Sequence, residues 1–389
     1  MPMAERPPPF YMYEGPEFPT PAALLGCRGV ARMRPLDEPM AQFYAEIGVH
    51  DLLSTHERRV RSPAEAQLFY VPILPHLSQD AGRCNGTSHR SRMAAVARRL
   101  LASPDWARTN GTDHLWVCSC VMMHSMLTPP LWSLLSTSIH GVHDVPRGRA
   151  SPAACQLSLP YYNPTFAAAA PPSARAPGRD RPVLAHFRGR VMNRARHALV
   201  KRYARDRSML VAAAHAPTAA RCNVNKCRAS AMAEVGFSPR GHFDEMTRST
   251  FCLVPVGDSP PSSRLFLAIG AGCVPVLISD RLAPPFGARL PWTSFTLRLP
   301  ESEFLSRTFN LTTWLRRVTR AELTALQTAL AEHAADVLYE VQGSRVGTHV
   351  LHMAAAAARL GERAPPSGAA MPIESRAPAG VWCGAPPLE

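Results

Sequence analysis

The stretch FCLVPVGDSPPSSRLFLAIGAGCVPVLISDRLAPPF, residues 251–286, decides the fold of the second half of the chain. Residues 251–255 and 274–279 are apolar runs with the length of buried strands. Between them, residues 263–271 follow a helical pattern that Gly272 ends, with Ser262 or Ser263 as the expected N-cap. The stretch therefore predicts a β-α-β unit of a parallel α/β sheet.

Arg264 lies in the first turn of this predicted helix, next to the expected N-cap. Free backbone N–H groups and the helix dipole favour an anion there, and a guanidinium adds a bidentate donor. The turn with Gly257 and Asp258 precedes the helix, at the sheet edge where α/β proteins bind ligands. Spacing alone leaves two interpretations open: a phosphate site, or an ordinary β-α-β unit with a surface arginine.

Strand and helix patterns alternate in both directions from this stretch. Strands are predicted at residues 10–13, 65–73, 113–121 and 183–187, and helices at 91–102, 192–205, 243–248 and 319–338. A chain of 389 residues exceeds a comfortable single core, which predicts two domains. We expect α/β domains at residues 10–170 and 180–345, a hinge near 163–181, and a disordered Pro/Ala-rich tail at 362–389.

Residues 251–286 resemble the signature of the exostosin family, glycosyltransferase family 47. That signature has a strand ending in C-L-x-P-x-G, S-x-R opening a helix, then A-G-C-V-P-V-I-I-S-D and P-P-F. Further blocks agree in order: FYMYEGPEF at 10–18, AEAQLFYVP at 64–72, PDWARTNGTDHLWV at 104–117 and AHFRGR at 185–190. The resemblance implies two Rossmann-like domains of the glycosyltransferase-B type with an interdomain cleft. It also implies an inverting transferase that passes a sugar from a nucleotide-sugar, here expected to be a UDP-sugar, to a glycan or glycoprotein acceptor. The first domain would hold the acceptor, and the second would bind the nucleotide-sugar.

The resemblance and the arginine positions together define a predicted donor site. Its members are Arg188, Arg190, Gly257, Asp258, Ser262, Ser263, Arg264 and position 267, which is Leu267. The sequence contains no Asp-x-Asp, so arginines and a helix N-terminus would meet the charge of the leaving diphosphate. We therefore expect no metal and no cofactor, the nucleotide-sugar being a co-substrate.

An inverting transfer needs a general base for the acceptor hydroxyl. The adjacent pair Asp113 and His114 is the preferred candidate, with Glu14 and Asp144 as alternatives. An Asp-His pair at a strand edge is more often structural than catalytic, so a packing role is the alternative.

Position 267 departs from the family pattern R-x-x-E-A, because this chain has leucine where a glutamate is usual. Losing a charge-assisted hydrogen bond to the ribose would cost about 1.5–3 kcal/mol. This keeps a second hypothesis open, a catalytically weakened homologue that acts as the partner subunit of a homo- or hetero-dimer. A third hypothesis, a basic glycan- or nucleic-acid-binding protein, rests only on the net charge of +14. The basic residues are spread along the chain and nearly all are arginine, so no nucleic-acid partner is expected.

The cysteines and the glycosylation sequons indicate in which cellular compartment the protein works. Cys118, Cys120, Cys252 and Cys273 lie in apolar runs and are expected to be buried thiols, whereas Cys222 and Cys227 could close a short loop as a disulfide. Glycosylation sequons occur at Asn85, Asn110 and Asn310. The longest apolar stretch, 115–135, is interrupted by His124 and prolines and predicts buried segments instead of a membrane helix. Together with the family resemblance, these features predict the lumenal face of the Golgi membrane, with an anchor that is not visible in this sequence.

Overall fold

The computed structural model describes residues 6–27, 30, 42–119, 126–143, 155–163, 172–213, 239–257, 262–287, 289–361 and 381–383. The strands are β1 (Phe10–Met12), β2 (Arg59–Val60), β3 (Leu68–Tyr70), β4 (His114–Val117), β5 (Ile139–Val142), β6 (Cys155–Ser158), β7 (Val183–Gly189), β8 (Met209–Ala213), β9 (Ser249–Pro255), β10 (Val274–Ile278), β11 (Leu297–Leu299) and β12 (Val381–Cys383). The α-helices are α1 (Pro21–Leu25), α2 (Ala45–Ser54), α3 (Pro75–Ala81), α4 (His89–Leu101), α5 (Pro104–Thr109), α6 (Pro129–Leu134), α7 (Arg194–Tyr203), α8 (Pro239–Thr247), α9 (Ser263–Gly270), α10 (Trp292–Phe295), α11 (Glu301–Leu305), α12 (Leu311–Arg316), α13 (Arg320–Val337) and α14 (Val346–Gly361).

The strands form two sheets. The first has the order β12-β6-β5-β4-β3-β1-β2 and is parallel except for β12, which pairs antiparallel with β6. The second has the order β11-β10-β9-β7-β8 and is parallel throughout. In each sheet the first strand along the chain lies between the second and the third, so the winding direction reverses there. Such a switch point opens a crevice at the carboxyl ends of the two central strands, which in the second sheet are β7 and β9. The architecture confirms the predicted fold, two Rossmann-like domains of the glycosyltransferase-B type.

The second sheet follows the sequence pattern closely. Every residue of β10 is buried, as expected for a strand covered on both faces. Helix α9 starts where the serine pattern predicted, since the Ser262 side chain accepts a hydrogen bond from the backbone N–H of Arg264. Helix α7 has Asn193 as N-cap, and α13 begins with a capping box of Thr319 and Glu322.

The two halves share part of their hydrophobic core. Val254, Leu265 and Phe266 of the second half belong to the same buried cluster as Phe10 and Leu115 of the first. Helix α14 returns to the first sheet and packs against β6 and β12. The segment that leaves the first half and the segment that returns to it are also hydrogen-bonded to each other. Tyr162 Oη donates to Glu340 Oε1 at 2.6 Å, and Tyr339 Oη donates to the carbonyl of Pro160 at 3.0 Å. The packing thus joins the sheets through side chains as well as through the crossing segments.

The cysteine chemistry differs from the prediction. Cys252 in β9 is bonded to Cys273, which precedes the neighbouring strand β10, so parallel pairing brings the two residues together. Cys118 is also disulfide-bonded. The prediction of buried thiols is therefore wrong for these three residues. Two more disulfides join Cys27 to Cys84 and Cys155 to Cys383, and every cysteine within the described ranges is bonded. Cys120, Cys222 and Cys227 lie outside the described residues.

The tail contains a structural element that the sequence pattern did not predict. Val381–Cys383 forms β12 inside the segment expected to be disordered, because its backbone pairs with β6 and Cys383 is bonded to Cys155. Residues 362–380 and 384–389 lie outside the described residues. None of the described helices combines the length and the apolar character needed to cross a membrane.

Candidate functional site

The carboxyl ends of β7 and β9 form the switch-point edge of the second sheet. Residues 190–193 follow β7 and lead into α7, and residues 256–257 follow β9 on the way to α9. Both helices therefore begin at this edge, with their free N–H groups and positive dipole ends nearby. We call this arrangement the arginine edge, because Arg188, Arg190, Arg196 and Arg264 all belong to it.

Arg264 is a buried cation of the arginine edge. It stands in the first turn of α9, is 8% exposed, and donates from Nη2 to the main-chain carbonyl of Arg188 at 2.6 Å. Its guanidinium also lies over the ring of Phe187, 4.8 Å from the centroid. Its Nε is buried with no hydrogen-bond partner among the described residues, and no salt bridge is formed with a described carboxylate. Burial and the charge of Arg196 lower the pKa of the Arg264 guanidinium to about 9. A buried cation with an unused donor is a candidate anion site, because a bound anion would compensate a buried charge that is otherwise costly.

Arg196 and Asn193 were not predicted by sequence reasoning. Arg196 is 6% exposed and donates from Nε to the carbonyl of Val256 at 2.7 Å and from Nη1 to the carbonyl of Arg190 at 3.1 Å. Asn193 uses its carbonyl oxygen to cap α7 and its Nδ2 to donate to Val256 O at 2.8 Å. The two residues therefore tie the loop after β7 to the loop after β9. An asparagine three residues after the AHFRGR block, at the start of a helical pattern, was the signal that could have identified them.

Arg188 and Arg190, the other two predicted donor-site arginines, have different surroundings. Arg188 makes a bidentate pair with Glu245, its Nε lying 3.0 Å from Oε2 and its Nη2 2.6 Å from Oε1. Glu245 also accepts from Nε2 of the buried His186 at 3.0 Å. The hydrogen bond from His186, with those from Arg188, outweighs burial and lowers the pKa of Glu245 to about 2. Arg190 is exposed at the edge. Arg188 is thus neutralised by a carboxylate, whereas Arg190 and Arg264 have no ion-pair partner in the described ranges.

The remaining predicted donor residues are close to α9. Gly257 follows β9 and Ser262 caps α9, with Ser263 as the first residue of the helix. Leu267 is partly buried and packs against a cluster that contains Phe243 and Met246 of α8. Asp258 lies outside the described residues. The structure therefore brings Gly257, Ser262, Ser263 and Arg264 to the arginine edge, and it places Leu267 one helical turn along α9.

The interpretation of Arg264 as a surface arginine is wrong, because its side chain is buried. Its side chain bends over the end of β7, where Gly189 leaves room for it. A Cβ at position 189 would lie 2.5 Å from Arg264 Nη2, closer than side-chain atoms approach one another. A glycine at the end of β7 and a buried arginine at the start of α9 therefore depend on each other.

Asp113 and His114, the predicted general base, lie at the start of β4, away from its carboxyl end. His114 is fully buried, with Nδ1 2.6 Å from Asp113 Oδ1 and Nε2 2.9 Å from Tyr13 Oη, and it stacks on Phe69. Burial lowers the pKa of His114 and acts to raise that of Asp113. In Asp113 the bonds from His114 and Thr109 prevail, and its pKa is lowered. The surroundings are those of a buried packing pair, and a catalytic role for it stays a prediction.

The first domain approaches α9 through other residues. Tyr161, after β6, lies 6.1 Å from Phe266 of α9 between ring centroids, and it stacks at 4.0 Å on His143, which follows β5. Burial lowers the pKa of His143 to about 4, so this ring is neutral at physiological pH. Glu14, an alternative base, forms an ion pair with Arg59 beside a cavity of about 560 Å³ at β1 and β2. Asp144, the other alternative, lies outside the described residues.

The arginine edge can bind and stabilise negative charge. It offers a buried guanidinium with an unused N–H, an exposed arginine, and the N-termini of two helices that meet at one switch point. A diphosphate, whose charge grows as its bond to a sugar breaks, fits this combination of donors.

Comparison with known proteins identifies related sequences. The family model of the exostosin GT47 domain matches residues 4–314. A probable glucuronosyltransferase of Oryza sativa subsp. japonica is 27% identical over 316 residues, which cover 73% of this chain and 65% of the relative. A probable glucuronoxylan glucuronosyltransferase of Arabidopsis thaliana is 26% identical over 317 residues, or 75% of this chain and 61% of the relative. A probable beta-1,4-xylosyltransferase of the same plant is 26% identical over 276 residues, or 67% and 62%. The chain thus spans a little under two thirds of the length of these curated relatives.

Proposed function

Because the chain belongs to the exostosin GT47 family, we propose that it is an inverting glycosyltransferase that transfers a sugar from a UDP-sugar to a glycan or glycoprotein acceptor. The observation that carries the proposal is the buried Arg264, whose Nε lacks a partner within the described ranges, at the switch point of the second sheet. The second domain would bind the nucleotide-sugar and the first would bind the acceptor.

In the proposed reaction the acceptor hydroxyl oxygen attacks the anomeric carbon while the bond from that carbon to the diphosphate oxygen breaks. The hydroxyl proton passes to a general base on the acceptor side, and UDP leaves with the bonding electron pair. Arg264, Arg190 and the N-terminus of α9 would stabilise the developing charge on UDP. Charge stabilisation by these groups supports a metal-independent mechanism.

The relatives suggest which donors to test first. Those named above are called probable glucuronosyl- and xylosyltransferases. We propose UDP-glucuronic acid or UDP-xylose as the donor. The two sugars differ by one carboxylate, so an exposed arginine such as Arg190 is a candidate for telling them apart.

The disulfides support a secretory location. Bonds joining Cys27 to Cys84, Cys155 to Cys383 and Cys252 to Cys273 form and persist in an oxidising compartment. We propose that the protein works on the lumenal side of the Golgi membrane. Occupied sequons at Asn85, Asn110 and Asn310 in secreted or Golgi-resident protein would support this. Reduced cysteines and unmodified asparagines in the native protein would contradict it.

A titration calorimetry screen tests the activity. UDP, UDP-glucuronic acid, UDP-xylose and GDP are titrated into the full chain at fixed moderate salt, and UDP release is then followed with xylan and glucuronoxylan oligosaccharides as acceptors. We expect UDP and one UDP-sugar to bind and UDP release to depend on an acceptor. A chain that binds none of these nucleotides is not the proposed enzyme.

A second candidate function is a catalytically weakened homologue that acts as a partner subunit. Leu267 favours it, because an apolar side chain packed against the cluster that contains Phe243 cannot accept hydrogen bonds from a ribose. This candidate predicts UDP binding without acceptor-dependent UDP release by the isolated chain, and release when a second exostosin-family chain is added.

A further inference from the structure

Main-chain carbonyls crowd the arginine edge. The carbonyl of Arg188 belongs to the end of β7 and that of Arg190 follows it, while those of Val256 and Gly257 follow β9. A carbonyl oxygen carries partial negative charge, so a bare one beside a bound phosphate repels it. An anion site at the carboxyl ends of strands therefore needs these oxygens to be occupied by donors.

Each of these carbonyls is occupied by a side-chain donor in the structure. Arg264 binds the carbonyl of Arg188 at 2.6 Å, and Arg196 binds that of Arg190 at 3.1 Å. Val256 O accepts from both Arg196 at 2.7 Å and Asn193 at 2.8 Å, and Gly257 O accepts from Asn193 at 3.4 Å. The donors come from the first turns of α7 and α9, with Asn193 as the N-cap of α7.

We infer that Arg196 and Asn193 are positioning residues of the nucleotide site, which make this edge fit for a diphosphate by occupying the carbonyls of Arg190, Val256 and Gly257. The inference rests on the proposed function and adds to it two residues that no family motif identified. Arg196 also adds its positive charge beside Arg264, as its effect on that guanidinium shows.

The two residues act on the phosphates and not on the base. Their contacts fix the separation of the loops after β7 and β9. They also give each of these carbonyl oxygens a hydrogen-bond donor, which reduces its repulsion of a phosphate. Removing either donor frees a carbonyl next to the anion, so the loss should appear in the affinity for UDP and not in that for uridine, which has no phosphate.

Asn193→Ser is the most selective variant. Serine keeps the N-cap of α7, because its hydroxyl accepts from the same backbone N–H, but it cannot reach the carbonyls as an amide does. Arg196→Lys keeps the charge but cannot bridge two carbonyls as a planar guanidinium does. Arg202→Lys is the matched control on the same helix. Arg202 also donates to two main-chain carbonyls, those of Phe304 and Leu305, away from the arginine edge.

The test titrates UDP and uridine into the full chain and each variant by calorimetry, with the melting temperature as a measure of folding. We expect the Kd for UDP to rise about three- to ten-fold in Asn193→Ser and about ten-fold in Arg196→Lys, with the uridine Kd unchanged and Arg202→Lys like the parent. Parental UDP affinity in both folded variants overturns the inference, as does an equal loss for UDP and uridine. If Arg196→Lys fails to fold, Asn193→Ser decides alone. A parent chain that binds UDP in no condition overturns the proposed function itself, and this inference with it.

Discussion

The guanidinium of Arg264 fills the space that a side chain on Gly189 would need at the end of β7. A Cβ at position 189 would lie 2.5 Å from Arg264 Nη2. The same guanidinium is 3.4 Å from that hypothetical Cβ at Cζ. The clashing atoms are the far end of a flexible side chain, which can move. A methyl group at position 189 would therefore displace the Arg264 guanidinium, which is proposed to bind the diphosphate, with little change to the backbone.

Gly189→Ala is accordingly expected to weaken UDP binding by about ten-fold or more, since a charge-assisted hydrogen bond is worth about 1.5–3 kcal/mol. The melting temperature should stay close to that of the parent. Gly26→Ala serves as control, because a Cβ there meets its nearest atom at an ordinary 3.7 Å. Unchanged UDP affinity in Gly189→Ala would show that Arg264 does not need its present position to bind the ligand.

Replacing Arg264 itself separates stability from binding. Its guanidinium is buried without a carboxylate partner among the described residues, and an unpaired buried charge costs stability. Arg264→Met should therefore abolish UDP binding and leave the free energy of unfolding unchanged or raise it, by up to about 1–3 kcal/mol.

Urea unfolding of parent and variant, with and without UDP, measures both effects. The parent should gain about 2.7 kcal/mol when UDP is present at a hundred times its Kd, and Arg264→Met should gain nothing. Arg202→Met is the control, because it removes an arginine of α7 that bonds carbonyls elsewhere. A large loss of stability in Arg264→Met without ligand would mean that its bond to Arg188 O and its contact with Phe187 outweigh the cost of burial.

The sequence predicted the second sheet well for a physical reason. Strands β9 and β10 are covered on both faces, so they appear as unbroken apolar runs, and serine and glycine mark the ends of α9. The observed bounds of α9, Ser263–Gly270, differ by one residue from those predicted. Strand β3 is much shorter than predicted, because Pro72 and the turn before Leu68 leave only three residues to pair.

The site was predicted only in part, because its geometry depends on contacts between distant segments. A helical pattern identifies Arg264 as a first-turn residue, but burial over Phe187 and the space left by Gly189 arise from the end of β7. Arg196 bonds carbonyls 60 residues and 6 residues away, a relation that no local pattern contains. The Asp113–His114 pair shows the opposite case. The local sequence suggests a catalytic pair, but the pair lies at the start of a buried strand.

Glu46 gives a prediction on pH. This carboxyl is completely buried in α2 and accepts from the backbone N–H groups of Leu77 at 2.7 Å and His76 at 3.4 Å, at the start of α3. Burial raises its pKa to about 8, against the effect of these bonds. Because the pKa of this carboxyl is higher in the folded than in the unfolded state, its protonation favours the folded state. This contribution is complete below the unfolded-state pKa and is lost as the pH rises towards 8.

Glu46→Gln removes that dependence, because an amide carries no charge to bury. The stability of the variant relative to the parent should increase between pH 5 and pH 8, by up to about 1.4 kcal/mol per pH unit. Urea unfolding at several pH values measures this, with the exposed Glu57→Gln as control. Parallel pH profiles for parent and Glu46→Gln would show that this carboxyl is ionised in the folded protein throughout.

Leu267→Glu tests whether this chain is a complete or a weakened transferase. The leucine is partly buried against the cluster that contains Phe243 and Met246, so a carboxylate there should cost about 1–2 kcal/mol of stability. If position 267 also faces the ribose, the new carboxylate should tighten UDP binding about ten-fold, because it accepts hydrogen bonds from the hydroxyls.

Calorimetry with UDP and 2′-deoxy-UDP distinguishes a ribose contact from a general change, since only UDP carries both hydroxyls. We expect Leu267→Glu to gain affinity mainly for UDP, Leu267→Gln to gain less, and Leu267→Met to match the parent, because methionine keeps the packing without a polar atom. An increase in acceptor-dependent UDP release in Leu267→Glu would mean that one side chain limits the activity of this chain. Equal affinities for both nucleotides in all three variants would place position 267 away from the ribose and remove the main reason for regarding the chain as a weakened homologue.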